Sequence, residues 1–319
     1  CPACDAAFHR RWVALLGSAN RLSCSWPHRA CLGIDISGAQ VPADQSATQA
    51  AKEFSPNDPQ LSSLTPLERE QLAESILGST LFTVSHELGH AIISLFELPM
   101  LGPEEDAADT FATIALLTIG SEFTHRAMLD AASTLKRAAE REARTAPEPV
   151  FFQQHRPNQQ RAYSIVCLMF GSNPHEFKDL AEWAKLPQER QETRTYEFEQ
   201  ADDAWNRVLK PHMRGASSAA RSLLRRLLGP KSADNSNDLI EIRYLDAPTP
   251  LAPYRELLVR SGMLEAVREK VLFPFVLPKK IAMEAKSCGE PNAYWDPGAT
   301  TLTLCYELLV DFAELSQPH

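Results

Sequence analysis

Two histidines four residues apart, His86 and His90, stand in Thr83-Val84-Ser85-His86-Glu87-Leu88-Gly89-His90-Ala91, with Glu87 directly after the first. On a helix, positions i and i+4 share a face one turn apart, so both imidazoles can reach one cation. That spacing suits Zn²⁺, and a carboxylate beside it is placed to act as a base. The next segment, Gly102-Pro103-Glu104-Glu105-Asp106-Ala107-Ala108-Asp109, supplies acids. Glu104, Glu105 and Asp106 suit the positive end of a helix dipole, but Asp109 lies further in. Glu105 and Asp109 again share a face. We expect Glu105 to be the third ligand, leaving a fourth position open for water. Asp109 is expected to accept a hydrogen bond from the distal nitrogen of a ligand histidine, His86. Glu104 or Asp106 is the rival ligand, because helix phase is not fixed by sequence.

The elements that must position these groups are legible. Thr65-Pro66-Leu67-Glu68 reads as N-cap, first-turn proline and capping-box glutamate. The apolar run that follows reaches Phe96, and Pro99 and Gly102 stop it, which predicts a helix over 65–98. Pro103 opens a second helix over 103–121, ended near Gly120.

His-Glu-Leu-Gly-His followed by Glu-Asp-Ala-Ala-Asp resembles the thermolysin-like zinc peptidases, or gluzincins. More closely, the chain is similar to a bacterial zinc metallopeptidase family that is assigned by motif and is of otherwise unknown function. The residues that carry the resemblance are His86–Phe111, Gln159-Gln160-Arg161-Ala162-Tyr163-Ser164-Ile165-Val166-Cys167 and Phe170-Gly171-Ser172-Asn173-Pro174. With them go Cys288-Gly289-Glu290-Pro291-Asn292-Ala293-Tyr294 and Cys305-Tyr306-Glu307-Leu308. The resemblance implies peptidase chemistry without naming a substrate. In the family a histidine precedes the Gln-Arg pair, and His155 matches it. His155, Arg161 or Tyr163 would then donate to the developing oxyanion; the other reading is a core-facing tyrosine and an arginine that ties a loop to a helix. The family's cysteine before Tyr196-Glu197 is a threonine here, so Cys167 lacks its expected partner. The Cys-Tyr-Glu-Leu hairpin precedes the histidine helix in the family but follows it here. The chain therefore reads as circularly permuted, with Cys1 and His319 expected to lie close together.

The chain has 319 residues, enough for one large or two ordinary domains. A net charge of −9 argues against nucleic acid as a partner. No apolar run reaches membrane-spanning length, and nothing in the sequence sets an oligomeric state. Cys1, Cys4, Cys24 and Cys31 suit disulfides or no function better than a second zinc site, since their spacing is irregular. Cys288 and Cys305 are expected to pair in an oxidising compartment. A chain that starts at a cysteine without Met is expected to be extracytoplasmic: periplasmic, secreted or a lipoprotein.

The predicted organisation is an N-terminal cysteine-containing segment and mobile loop over 1–64, a helical metallopeptidase core over 65–212 and a linker over 213–238. Residues 239–319 complete the same domain. Within these, 35–64 lacks periodicity and reads as loop, and Met128–Thr145 reads as a solvated surface helix. Leu239–Leu245 alternates as a strand. Lys280–Lys286 and Thr301–Cys305 read as the two arms of a β-hairpin. The fold class is α+β, mostly α: a zincin-like helical core with a small antiparallel sheet. The expected function is zinc-dependent hydrolysis of a peptide or protein substrate, with Glu87 as general base. The alternatives are a catalytically inactive binding protein that keeps the zinc fold and a zinc hydrolase acting on a non-peptide amide.

Overall fold

The computed structural model describes residues 42–58, 61, 63–145, 156–214 and 239–317. Helix α1 is Pro42–Lys52, α2 Pro66–Leu95, α3 Glu104–Ile119 and α4 Glu122–Thr145. Helices α5 (Asn158–Ser172), α6 (Lys178–Trp183) and α7 (Gln188–Leu209) follow. The strands are β1 (Ile240–Tyr244), β2 (Ile281–Lys286), β3 (Ala293–Asp296) and β4 (Thr301–Cys305). Between β1 and β2 run α8 (Ala252–Ser261), α9 (Met263–Val267) and a π-turn over Arg268–Leu272, and α10 (Tyr306–Ser316) closes the chain. The fold is α+β and mostly α.

Helix α2 is the central beam. Thr65 caps it: its hydroxyl accepts from the Glu68 N–H at 3.3 Å, and the Glu68 carboxylate accepts from the Thr65 N–H at 2.8 Å. Both are orphan donors that the first turn leaves open. Ile76, Leu77, Leu88 and Ile92 are fully buried, because α2 is packed on several sides, by α1, α3, α4, α10 and the sheet. A single hydrophobic core joins α2 to residues of 239–317, including Met283, Leu302, Leu304 and Leu309. Arg141 on α4 holds Asp311 on α10 through two hydrogen bonds, at 2.6 and 3.1 Å.

Three expectations need correction. Residues 42–52 form a helix, not a mobile loop. Ala47, Ala50, Ala51 and Phe54 recur at helical spacing and are buried, but small alanines give a weak apolar signal. Helix α4 is not simply solvated: Phe123, Ala127, Met128, Ala131 and Ala132 bury one face in the core. The third correction concerns the sheet, which is mixed and ordered β1-β2-β4-β3. β2 and β4 are parallel neighbours, not hairpin arms; the hairpin is β3 with β4. The chain leaves β2, runs along the outer edge as β3 and returns between them. Asp296 makes the return possible by accepting from the Gly298 and Ala299 N–H groups at 2.8 and 3.0 Å.

The loop from β2 to β3 is anchored twice. Cys288 and Cys305 form a disulfide. The Glu307 carboxylate accepts from the Ser287 hydroxyl at 2.6 Å and from the N–H groups of Cys288 and Gly289 at 3.0 and 2.8 Å. Tyr306 between them is fully buried and donates to the Leu245 carbonyl at 2.8 Å. The Cys-Tyr-Glu run thus fixes the edge strand in place. Cys167 is a free, buried thiol among the described residues. Cys1, Cys4, Cys24, Cys31, most of the expected linker and His319 lie outside the described residues.

Candidate metal centre

Helices α2 and α3 pack face to face around one glycine. At Gly89 an added Cβ would stand 2.8 Å from the Ala108 Cα and 3.1 Å from its Cβ, inside any ordinary carbon contact. Glycine in a helix interior costs about 1 kcal/mol relative to alanine, so its place here is explained by the close approach. That approach brings Glu105 to the two histidines. The His86 and His90 Nε2 atoms are 3.2 Å apart. The Glu105 Oε2 lies 3.2 Å from the first and 3.4 Å from the second.

These three separations test the site against a metal. Tetrahedral bonds of roughly 2.0–2.1 Å, the zinc values, place ligand atoms about 3.3 Å from one another. The triangle has that size, and two imidazole nitrogens with one carboxylate oxygen is a zinc donor set. His86 is buried, while His90 and Glu105 are part-exposed, with the Glu105 Oε2 corner itself buried. The residues present fit a zinc ion.

Each imidazole has its other nitrogen occupied. His86 Nδ1 lies 2.8 Å from Asp109 Oδ1, and His90 Nδ1 lies 2.8 Å from Glu104 Oε1. A carboxylate at Nδ1 accepts the ring proton and leaves the Nε2 lone pair aimed into the triangle. Asp109 is in turn gripped by Arg161 from α5, Nε to Oδ2 and Nη2 to Oδ1, both at 2.8 Å. Burial alone would raise the Asp109 pKa, but the bonds to Arg161 and His86 outweigh it and hold the carboxyl well below the usual range. At His90 burial would lower the pKa, yet Glu105 and Glu104 outweigh it and raise it to about 9. Asp109 and Glu105 outweigh burial in the same way at His86. The field within the triangle favours positive charge.

Glu87 is buried and points to the same region. Burial raises its pKa, while the imidazoles of His86 and His90 pull it down. A hydrogen bond from the Trp295 backbone N–H also favours its ionised form. That contact follows from strand geometry. The Cys305 N–H donates to the Asn292 carbonyl at 3.0 Å, so Asn292, Tyr294 and Asp296 turn their backbone groups towards β4. Ala293 and Trp295 turn theirs to the open edge, the side that Glu87 reaches.

Of the residues proposed from sequence, His86, His90, Glu105, Asp109 and Glu87 come together. Arg161 joins the centre through Asp109, to which its Nε and Nη2 are bonded. Tyr163 is 41% exposed on α5, and His155 lies outside the described residues. The partner of His90 is Glu104, which sequence reasoning had only as a rival ligand or a dipole effect; its position one residue before Glu105 was the available signal. The backbone of Trp295 carried no signal, since any residue type supplies an N–H.

The family described as "Putative metallopeptidase" matches residues 44–209 and 249–319, about three quarters of the chain and every residue of the centre. The chain belongs to that family. Membership in this metallopeptidase family implies a metal ion and peptide or protein substrates. No curated protein and no solved structure matches the chain. No described helix is long and apolar enough to cross a membrane.

Proposed function

We propose that the protein is a zinc-dependent peptidase in which His86, His90 and Glu105 hold the metal and Glu87 is the general base. The triangle of ligand atoms with 3.2–3.4 Å edges carries this reading. A zinc ion bound there would polarise the scissile carbonyl and bring the pKa of water towards neutrality. Glu87 takes the proton of the attacking water and returns it to the leaving amine. Asp109 and Glu104 keep the two rings in the tautomer that ligation needs. The backbone groups of Ala293 and the Trp295 carbonyl, turned to the outer edge, receive an extended peptide as an added strand, which lays its carbonyls beside Glu87. The Cys288–Cys305 disulfide supports an oxidising, extracytoplasmic compartment.

The test is metal analysis of the purified protein together with Glu87→Gln, assayed on a peptide library. Wild type is expected to carry one zinc and cleave; the variant should keep its zinc and lose roughly 10²–10⁴ in rate, the range of general acid–base catalysis. A wild type that takes up no zinc from a zinc buffer ends this reading.

A further inference from the structure

Arg161 sits on a third helix, α5, and closes on the centre through a well-formed ion pair with Asp109. Its side chain is 15% exposed and that of Asp109 is 9% exposed. The contact is two-pronged, and the Oδ1 that Arg161 Nη2 grips is the same oxygen that meets His86 Nδ1 at 2.8 Å. A carboxylate on a short side chain turns easily about its last bond, where the torsional preference is broad. Two parallel N–H bonds from a planar fork remove that freedom. With the plane held, Oδ1 points at the imidazole and sets the ring's angle about its own axis.

We infer that Arg161 is a positioning residue of the metal centre: it locks the Asp109 carboxylate so that His86 is held in the ligating tautomer and orientation. This rests on the zinc reading above. It gives Arg161 a role beside the oxyanion role expected from sequence, since two of its guanidinium nitrogens are bonded to Asp109. It also gives the Gln-Arg-Ala-Tyr segment a task. α5 presents one clamp to a site built on α2 and α3, so the docking of three helices, not two, fixes the metal geometry.

A solvent-reaching polar cavity of about 180 Å³ lies beside the clamp, lined by Arg161, Asp109, Asp106, Arg156, Thr110 and Ser164 among others. Arg156, half-exposed, pairs with Asp106 at its rim. The cavity gives small cations access to the place that the Arg161 side chain would vacate, which makes the role testable by chemical replacement.

Zinc affinity is measured by competition with a chromophoric chelator at one pH for wild type, Arg161→Ala, Arg161→Lys, Asp109→Ala and the Asp109→Ala/Arg161→Ala double variant. Circular dichroism checks that each is folded. Arg161→Ala is expected to weaken zinc roughly 10–100-fold, the usual effect of losing a partner behind a ligand. Arg161→Lys should recover only part, since an ammonium makes no fork. In the Asp109→Ala background the further loss of Arg161 should change affinity less than about 3-fold, because its target is gone. Millimolar methylguanidinium should restore zinc binding to Arg161→Ala and not to the double variant. A wild type that binds zinc beside a folded Arg161→Ala of equal affinity overturns this inference alone. Additive losses in the double variant overturn it too. If Arg161→Ala does not fold, Arg161→Lys decides, and wild-type affinity there refutes the fork. A wild type that binds no zinc removes the metal reading itself.

Discussion

Gly89→Ala tests whether the close approach of α2 and α3 sets the metal geometry. The new Cβ would stand 2.8 Å from the Ala108 Cα, 3.1 Å from its Cβ and 3.3 Å from its carbonyl oxygen. Carbon atoms rest about 3.5–4.0 Å apart, so the helices must separate by roughly 0.7–1.2 Å. The obstacle is backbone on both sides, which no rotamer change relieves. The His86–Glu105 and His90–Glu105 separations of 3.2 and 3.4 Å would then grow to about 4 Å. Bonds of roughly 2.1 Å span that distance only when nearly collinear, which a tetrahedral site forbids. Rotation of the Glu105 side chain recovers some reach; the shorter Asp109 has less to give. Stability should change little, because overpacking costs about 1–3 kcal/mol while removing a helical glycine returns about 1 kcal/mol. The expected outcome is a zinc affinity at least about tenfold weaker with a net stability loss of about 0–2 kcal/mol. Chelator competition and denaturant melts on the same preparations measure the two. A folded Gly89→Ala with wild-type zinc affinity would refute the reasoning.

The two outer carboxylates should differ. Asp109→Asn, buried and gripped by Arg161, is expected to cost about 10–100-fold in zinc affinity, and Glu104→Gln, whose carboxylate is half-exposed, distinctly less; isothermal titration would rank them, and the reverse order would sink the assignment. Asp130 on α4 lies against Gly78 of α2, and burial, then the nearby Glu74, push its pKa up to about 8. A carboxyl whose folded pKa is raised stabilises the protein when protonated, so this contribution is full below about pH 4 and is lost as pH rises through 8. Wild type should therefore lose more stability between pH 6 and 9 than Asp130→Asn does, as read from urea midpoints; equal slopes would contradict this. Reducing or deleting the Cys288–Cys305 bridge frees a loop of sequence separation 17 that carries β3. The expected loss is about 3 kcal/mol, visible as a lower melting temperature in reductant.

The sequence by itself determined the reactive group set and the helices that carry it. His86, Glu87 and His90 need only 3.6-residue periodicity to converge, and Thr65, Pro66, Glu68 and Gly120 mark helix ends by local chemistry that acts within four residues. The partners across elements were decided by the tertiary structure. Which of Glu104 and Glu105 faces the triangle depends on the phase of α3 against α2, and that phase is set where Gly89 meets Ala108. That Arg161 gives its fork to Asp109 was decided only when α5 docked against α3. The strands at 281–286 and 301–305 alternate as hairpin arms would, but alternation reports which face is buried and not which neighbour is paired. Only the path of the intervening strand, which takes the outer edge, makes them parallel and turns the backbone of Ala293 and Trp295 to the side of Glu87. Local sequence encodes a residue's direction from its own axis; the contacts between axes come from packing over long chain separations, which no local pattern records.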